Sequence, residues 1–166
     1  MNGRLAPMDL ITATFLQTSV GGWTRGGNKA MAQPPDLAKA HLRIARLSAD
    51  LAAAVKFYRD GLGFEVLYEF KDHDGFDAVM LGRNGAAYHL AFVHKAGHQV
   101  APAPTHDDLL VFYLPDADDW NRVATRLKEL GHQPVKAFNP YWDKQGQTFV
   151  DPDDYRVVLQ HASWSA

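Results

Sequence analysis

The chain repeats one order of elements twice, and this internal repeat constrains its fold more than any other feature. A strand-like segment at residues 41–47 precedes a helical stretch that opens at Asp50. A second strand-like segment at residues 109–114 precedes a helical stretch that opens at Asp116. Strand-like runs follow each helix. Two βαβββ modules side by side form a cupped mixed sheet, so we predict an α+β fold with a concave site built from strands.

Apolar spacing supports both helices. In the first helix the apolar residues recur at helical intervals, and they are Leu51, Ala54, Val55, Tyr58 and Leu62. In the second they are Trp120, Val123, Ala124, Leu127 and Leu130. Asp50 or Ser48 is placed to cap the first helix, and Gly61 and Gly131 are placed to end the two helices. We therefore predict one α-helix in each module.

Alternating apolar residues mark the strands. They are Phe64, Val66, Tyr68 and Phe70, then Tyr88, Leu90 and Phe92, then Leu110, Phe112 and Leu114, then Val157 and Leu159. Side chains alternate between the two faces of a strand, so one face is predicted to pack on the helices and the other to line the cup. The segments 72–75, 83–85 and 151–154 have the composition of hairpin turns.

Composition limits the classes of function. With 166 residues and 46% hydrophobic residues, the chain fits a single domain at residues 37–162, with module one at about 40–98 and module two at about 106–162. The absence of cysteine excludes disulfides and thiolate chemistry. A net charge of −2 with interspersed signs argues against nucleic acid, and no apolar run is long enough to span a membrane. We expect a cytoplasmic protein with a small-molecule ligand.

Residues 1–36 differ from the rest. Short apolar pieces alternate there with paired glycines and prolines, and neither a helical nor a strand period persists. We predict an irregular N-terminal arm outside the fold. The alternative is an upstream extension, with Met31 as the natural start.

Residues of about 40–162 resemble the vicinal oxygen chelate (VOC) superfamily, which includes glyoxalase I, the bleomycin and fosfomycin resistance proteins and the extradiol dioxygenases. The motifs that carry the resemblance are Asp50-Leu51 through Phe57-Tyr58, Gly61-Leu62-Gly63-Phe64, and Thr148-Phe149-Val150-Asp151-Pro152-Asp153. The runs at 73–77, 102–105, 109–113 and 139–142 resemble a bacterial glyoxalase-like subgroup of undefined activity. The resemblance implies a homodimer.

The resemblance also implies four positions for ligands of a divalent metal. They fall at Arg43, His89, Leu109 and Val158, and only His89 has a side chain that can bind a metal. His41 precedes Arg43 by two residues, and a strand bulge could bring it to the site. We predict no metal and no cofactor.

The alternation predicts which side chains line the cup: His41, Arg43, His89, Ala91, Leu109, Val111, Tyr113, Arg156, Val158 and Gln160. Arg43 and Arg156 would favour an anionic ligand, although each could instead pair with a surface acid. Tyr141 and Trp142 follow Asn139-Pro140, where their rings could cover the mouth of the cup and stack on a planar ligand, or could cover the sheet edge as core.

Two functions remain open. The first is metal-free binding of a small anionic or aromatic molecule by substrate-binding residues His41, Arg43, Tyr113, Tyr141, Trp142, Arg156 and Gln160. The second is a glyoxalase-, lyase- or dioxygenase-like enzyme in which His89 is catalytic, as a metal ligand or as an acid/base. Members of the resembling subgroup tend to carry Glu where this chain has Ala91 and Val150, which removes two candidate bases and favours binding.

Overall fold

The structure of the protein is a computed structural model, and it describes residues 36–165. All but the last residue of the predicted N-terminal arm lies outside the described residues. The described part begins with a 3-10 turn at Leu37–Lys39, which precedes module one. Within this described part, no helix is both long enough and apolar enough to cross a membrane.

Module one contains a helix and a four-stranded sheet. Its elements are β1 (Leu42–Leu47), α1 (Leu51–Val55), β2 (Glu65–His73), β3 (Phe76–Gly82) and β4 (Tyr88–Lys95). The strands lie in the order β1-β4-β3-β2, with β1 parallel to β4 and the other pairs antiparallel. This confirms the predicted strand–helix–three-strand order of the first module.

Module two contains a longer helix and a smaller sheet. Its elements are β5 (Leu109–Tyr113), α2 (Ala117–Glu129), a 3-10 turn (Pro140–Asp143), β6 (Gly146–Val150) and β7 (Arg156–Gln160). The strands lie in the order β5-β7-β6, with β5 parallel to β7.

Module two differs from a complete βαβββ module in one detail. The first strand after α2 is reduced to an isolated bridge between Val135 and Thr148. Pro134 and Pro140 flank this segment, and each lacks the backbone N–H that a continuous ladder would need.

The first helix begins as predicted and then changes character. Asp50 caps it by accepting a 3.0 Å hydrogen bond from the backbone N–H of Ala53. From Lys56 to Gly61 the backbone forms a π-helical segment in place of the predicted α-helix. The wider turn brings the consecutive residues Phe57 and Tyr58 into the core together, and both are completely buried.

One apolar core holds the two modules together. It contains the helix-facing residues of both sheets and the buried residues of the helices: Ala54, Phe57, Tyr58, Phe64, Val79, Leu81, Leu90, Phe92, Ala124, Leu127, Phe149, Val157 and Leu159. Gly61 allows the helices to approach closely, because a Cβ atom there would lie 2.5 Å from Leu127 Cδ2. The opposite face of the module one sheet is therefore left for the site.

Candidate binding site on the concave face of module one

Parallel pairing of β1 with β4 brings three of the predicted site residues together. Arg43 lies directly across from His89 in this register, and His41 immediately precedes β1 on the same face. Their side chains form a hydrogen-bonded group, which we call the imidazole cluster (His41, Arg43 and His89). Arg43 Nε donates to His89 Nε2 at 2.8 Å, and His89 Nδ1 lies 2.6 Å from His41 Nε2.

These contacts determine the tautomers of the two neutral rings. A guanidinium is always a donor, so His89 Nε2 must be the unprotonated acceptor. His89 then carries its proton on Nδ1 and donates it to His41 Nε2, which leaves the proton of His41 on Nδ1. Neither nitrogen of His89 has a free lone pair in this arrangement.

Electrostatics keep His89 neutral. Partial burial lowers the pKa of His89 below its usual value, and the positive charge of Arg43 lowers it further. A neutral ring is what the hydrogen bond from Arg43 requires, because an imidazolium would present N–H against N–H. Within the described residues, the Nη atoms of Arg43 donate to no acceptor, so these N–H groups are available to a ligand.

The floor beside the imidazole cluster is apolar. Ala78, Met80 and Ala91 form a small buried cluster on this face, against which Phe70 and Val93 pack. Gly82 lies across from His89 in the register of β3 and β4. A Cβ at Gly82 would lie 3.1 Å from His89 Cβ and 2.9 Å from Leu67 Cδ1, so glycine lets Leu67 approach the histidine.

Sequence alternation placed Val66, Tyr68 and Phe70 on one face of β2, and the structure places Tyr68 and Phe70 on the concave side, opposite to Val66. Val66 pairs with Leu81 and Tyr68 with Met80, so the ladder has a β-bulge at Leu67. The extra residue shifts the following residues to the opposite face. A bulge leaves no local sequence signal here, because Leu67 is as apolar as its neighbours.

The predicted site residues of module two lie in the other sheet. Arg156 lies directly across from Leu109, which is the relationship that His89 has to Arg43 in module one. In the same register Val158, the predicted fourth ligand position, lies across from Val111. Arg156 donates to the backbone oxygen of Lys136 at 3.2 Å.

Arg156 also borders a cavity of about 350 Å³, which is lined by Pro102, Ala103, His106, Val150, Asp154 and Arg156.

The other predicted site residues of module two lie against neighbours in their own module. The centre of the Tyr113 ring lies 5.6 Å from the centre of the Trp164 ring, and the centre of the Tyr141 ring lies 4.9 Å from that of the Trp142 ring. Gln160 is only 3% exposed, and its Oε1 has no partner among the described residues.

The side chains do not fit the divalent metal of the superfamily. Three of the four predicted ligand positions, Arg43, Leu109 and Val158, hold side chains that cannot bind a metal. The remaining ligand, His89, directs its Nε2 at a guanidinium. Among residues 36–165, no three His, Asp or Glu side chains lie close enough together to hold a metal ion.

The sequence matches two family models in tandem. The YycE-like N-terminal domain matches residues 42–93, and the YycE-like C-terminal domain matches residues 107–161. The chain belongs to the YycE-like family. The uncharacterized protein YycE of Bacillus subtilis (strain 168) is 42% identical over 123 residues, which cover 74% of this chain and 88% of that protein.

Solved structures share the fold of this chain. The crystal structure of YycE from Bacillus subtilis has a TM-score of 0.72 and 40% identity, and the match covers 77% of this chain and 93% of that one. Glyoxalase I of Leishmania major has a TM-score of 0.58 at 18% identity, covering 72% and 84%. FosX of Mesorhizobium loti has a TM-score of 0.53 at 13% identity, covering 73% and 90%. The last two show a shared fold, which confirms the predicted α+β class.

Proposed function

We propose that this protein binds a small organic anion on the concave face of module one, without the divalent metal of its superfamily. The observation that carries the proposal is the 2.8 Å hydrogen bond from Arg43 Nε to His89 Nε2. This bond occupies the nitrogen that a metal would need and holds the guanidinium in place. Its two Nη groups can then bind a carboxylate in bidentate fashion.

We propose that the predicted residues of module two, which lie in the other sheet, also contribute to ligand binding. Arg156 and Gln160 would supply polar contacts, and Tyr113, Tyr141 and Trp142 would supply aromatic surface for a ligand with a planar group.

We propose a homodimer on the basis of the family resemblance. Exposed apolar side chains support it, namely Leu42, Phe138 and Trp164. Light scattering coupled to size-exclusion chromatography tests the dimer.

The alternative is an enzyme in which His89 transfers a proton. The hydrogen-bonded pair of imidazoles favours it, because such a pair can pass a proton between its rings. Both nitrogens of His89 are engaged, however, so Arg43 would have to move before His89 could act as a base. Binding therefore explains the geometry with fewer changes.

Titration of the histidine ring resonances by NMR tests the binding proposal, with benzoate, propionate and inorganic phosphate as probes. We expect saturable shifts at His89 in the wild-type protein. Arg43→Gln should weaken binding about tenfold or more, since it removes a charged donor pair. Arg122→Gln is the matched control, because Arg122 is exposed and pairs with Asp119 on α2.

Two outcomes would count against the proposal. Absence of shifts with all three probes would reject an anion site at the imidazole cluster. Stoichiometric metal in protein purified without an affinity tag, lost in His89→Ala, would reject the metal-free mechanism and support the enzyme.

A further inference from the structure

We propose that β2 forms one wall of the site, made by the aliphatic Leu67 and the aromatic Tyr68 and named the aromatic wall after its tyrosine ring, and that Tyr68 selects anions that carry a planar ring. The inference rests on the proposed anion site at the imidazole cluster and names the class of ligand it takes, an aromatic carboxylate. No pattern in the sequence assigns Leu67 or Tyr68 to the site.

The β-bulge is the first observation. Leu67 is the extra residue between the pairs Val66–Leu81 and Tyr68–Met80. Leu67 reaches over Gly82, and Tyr68 pairs with Met80 of the concave floor, so two successive side chains lie on the side of the site. Bulges commonly re-aim side chains beside functional sites.

Strand spacing gives the dimensions. Neighbouring strands lie about 4.8 Å apart, so β2 lies about 10 Å from β4, which carries His89, and about 14 Å from β1, which carries Arg43. Tyr68 is also offset from His89 by two residues along the strands, about 7 Å, because Tyr68 pairs with Met80 whereas His89 pairs with Gly82. The apolar floor of Met80 and Ala91 lies between them. One aromatic ring with a carboxylate fits this span, with the ring beside Tyr68 and the carboxylate at Arg43.

Exposure and charge agree with this assignment. Tyr68 is 62% exposed, so its ring is available to a ligand and contributes little to the core. Its ring lies 6.3 Å from that of Phe70, which gives the wall a second aromatic member behind it. Glu65, at the start of β2, faces Arg83 at 3.7 Å, so its charge is balanced there and does not oppose an incoming anion.

The test compares benzoate with propionate, which share a carboxylate and differ in the ring. Dissociation constants are measured by NMR titration for the wild-type protein, Tyr68→Ala, Tyr68→Phe and Val66→Ala. Val66 is the matched control, because it adjoins the bulge but pairs with Leu81 of the opposite face. Circular dichroism and size-exclusion chromatography accompany each variant.

We expect the wild-type protein to prefer benzoate. Tyr68→Ala should weaken benzoate about 3- to 10-fold and leave propionate unchanged, as loss of one aromatic contact predicts. Tyr68→Phe and Val66→Ala should behave as wild type.

Three results would overturn the inference. If the wild-type protein binds benzoate and propionate with equal affinity and Arg43→Gln binds neither, the anion site is supported and the aromatic wall is rejected. Absence of binding by either probe would reject the anion site and the wall with it. A changed oligomeric state in Tyr68→Ala would assign Tyr68 to an interface between copies.

Discussion

The hydroxyl of Tyr58 in module one donates a 2.7 Å hydrogen bond to Asp151 Oδ2 in module two, and both side chains are buried. Asp151 Oδ1 accepts from the backbone N–H groups of Asp153 and Tyr155, each at 2.9 Å. Arg46 lies 3.7 Å from the centre of the Tyr155 ring, and its Nη1 is 3.9 Å from Asp151 Oδ2. A buried carboxylate with several donors thus joins the two halves of the repeat.

Tyr58→Phe should lower the free energy of unfolding by about 1–3 kcal/mol, because it removes a donor from a buried charged acceptor. Urea unfolding measures the change. Tyr88→Phe is the control, since the Tyr88 hydroxyl makes no hydrogen bond within residues 36–165, and it should change stability by no more than about 0.5 kcal/mol. Equal effects of the two substitutions would show that the Tyr58–Asp151 bond contributes nothing specific.

The same pair predicts a loss of stability at alkaline pH. Burial raises the pKa of Tyr58 well above its usual value, and the nearby Asp151 carboxylate raises it further. Above about pH 10 the unfolded chain releases this proton while the folded protein keeps it, so stability falls as pH rises. Urea midpoints at a series of pH values should show the decline, and Tyr58→Phe should make it shallower. An unchanged slope in Tyr58→Phe would contradict this prediction.

Arg43→Gln should raise the pKa of His89. Burial is the largest cause of its lowered pKa and stays in place, whereas the charge of Arg43 is removed, so the pKa should rise without reaching its ordinary value. NMR titration of the imidazole resonances measures it, and Arg122→Gln serves as the control. A pKa that stays constant in Arg43→Gln would mean that the guanidinium does not act on His89.

Gly82→Ala should destabilise the protein by about 1–3 kcal/mol and disturb His89, because the new Cβ would meet both Leu67 and His89. Chemical denaturation gives the stability, and the His89 ring shifts report the site. Leu67→Ala removes one of the two neighbours, so the double variant should lose less than the sum of the single variants. Strictly additive losses would contradict this packing arrangement.

Wild-type protein should show no thermal shift with Mn²⁺, Ni²⁺ or Zn²⁺, because Arg43 occupies His89 Nε2, the nitrogen that would bind the metal. Arg43→Glu should create a two-histidine, one-carboxylate site with His41 and His89, and should gain a shift with Ni²⁺ or Zn²⁺. Arg43→Gln is the control, since it removes the arginine without adding a carboxylate. A metal-induced thermal shift of the same size in Arg43→Gln would show that the two histidines bind the metal without a carboxylate.

Much of the fold could be predicted from local pattern. The apolar spacing from Leu51 to Tyr58 and the cap at Asp50 predicted where the first helix begins, and alternation predicted the strands that carry Arg43 and His89. The site was also predicted in part from local pattern. Because side chains alternate between the two faces of a strand, His41, Arg43 and His89 were expected on the same face. Their meeting required the parallel pairing of β1 with β4, which no local pattern specifies.

The sequence-based predictions failed where strand register or core packing determines which face a side chain occupies or which helix type forms. Tyr68 was grouped with Val66 on one face of the strand, and the bulge at Leu67, which no local pattern marks, separates the two residues. The π-helical segment at Lys56–Gly61 likewise follows from burying Phe57 and Tyr58 together.

The sequence by itself determined the two modules, the order of their elements and the absence of a full set of metal ligands, because helix and strand periods and side-chain chemistry are local properties. Only the tertiary structure decided that Arg43 meets His89, that Tyr68 lies beside the site and that Tyr58 reaches Asp151. These contacts join separate strands or segments far apart in the chain, and their geometry depends on strand register and core packing.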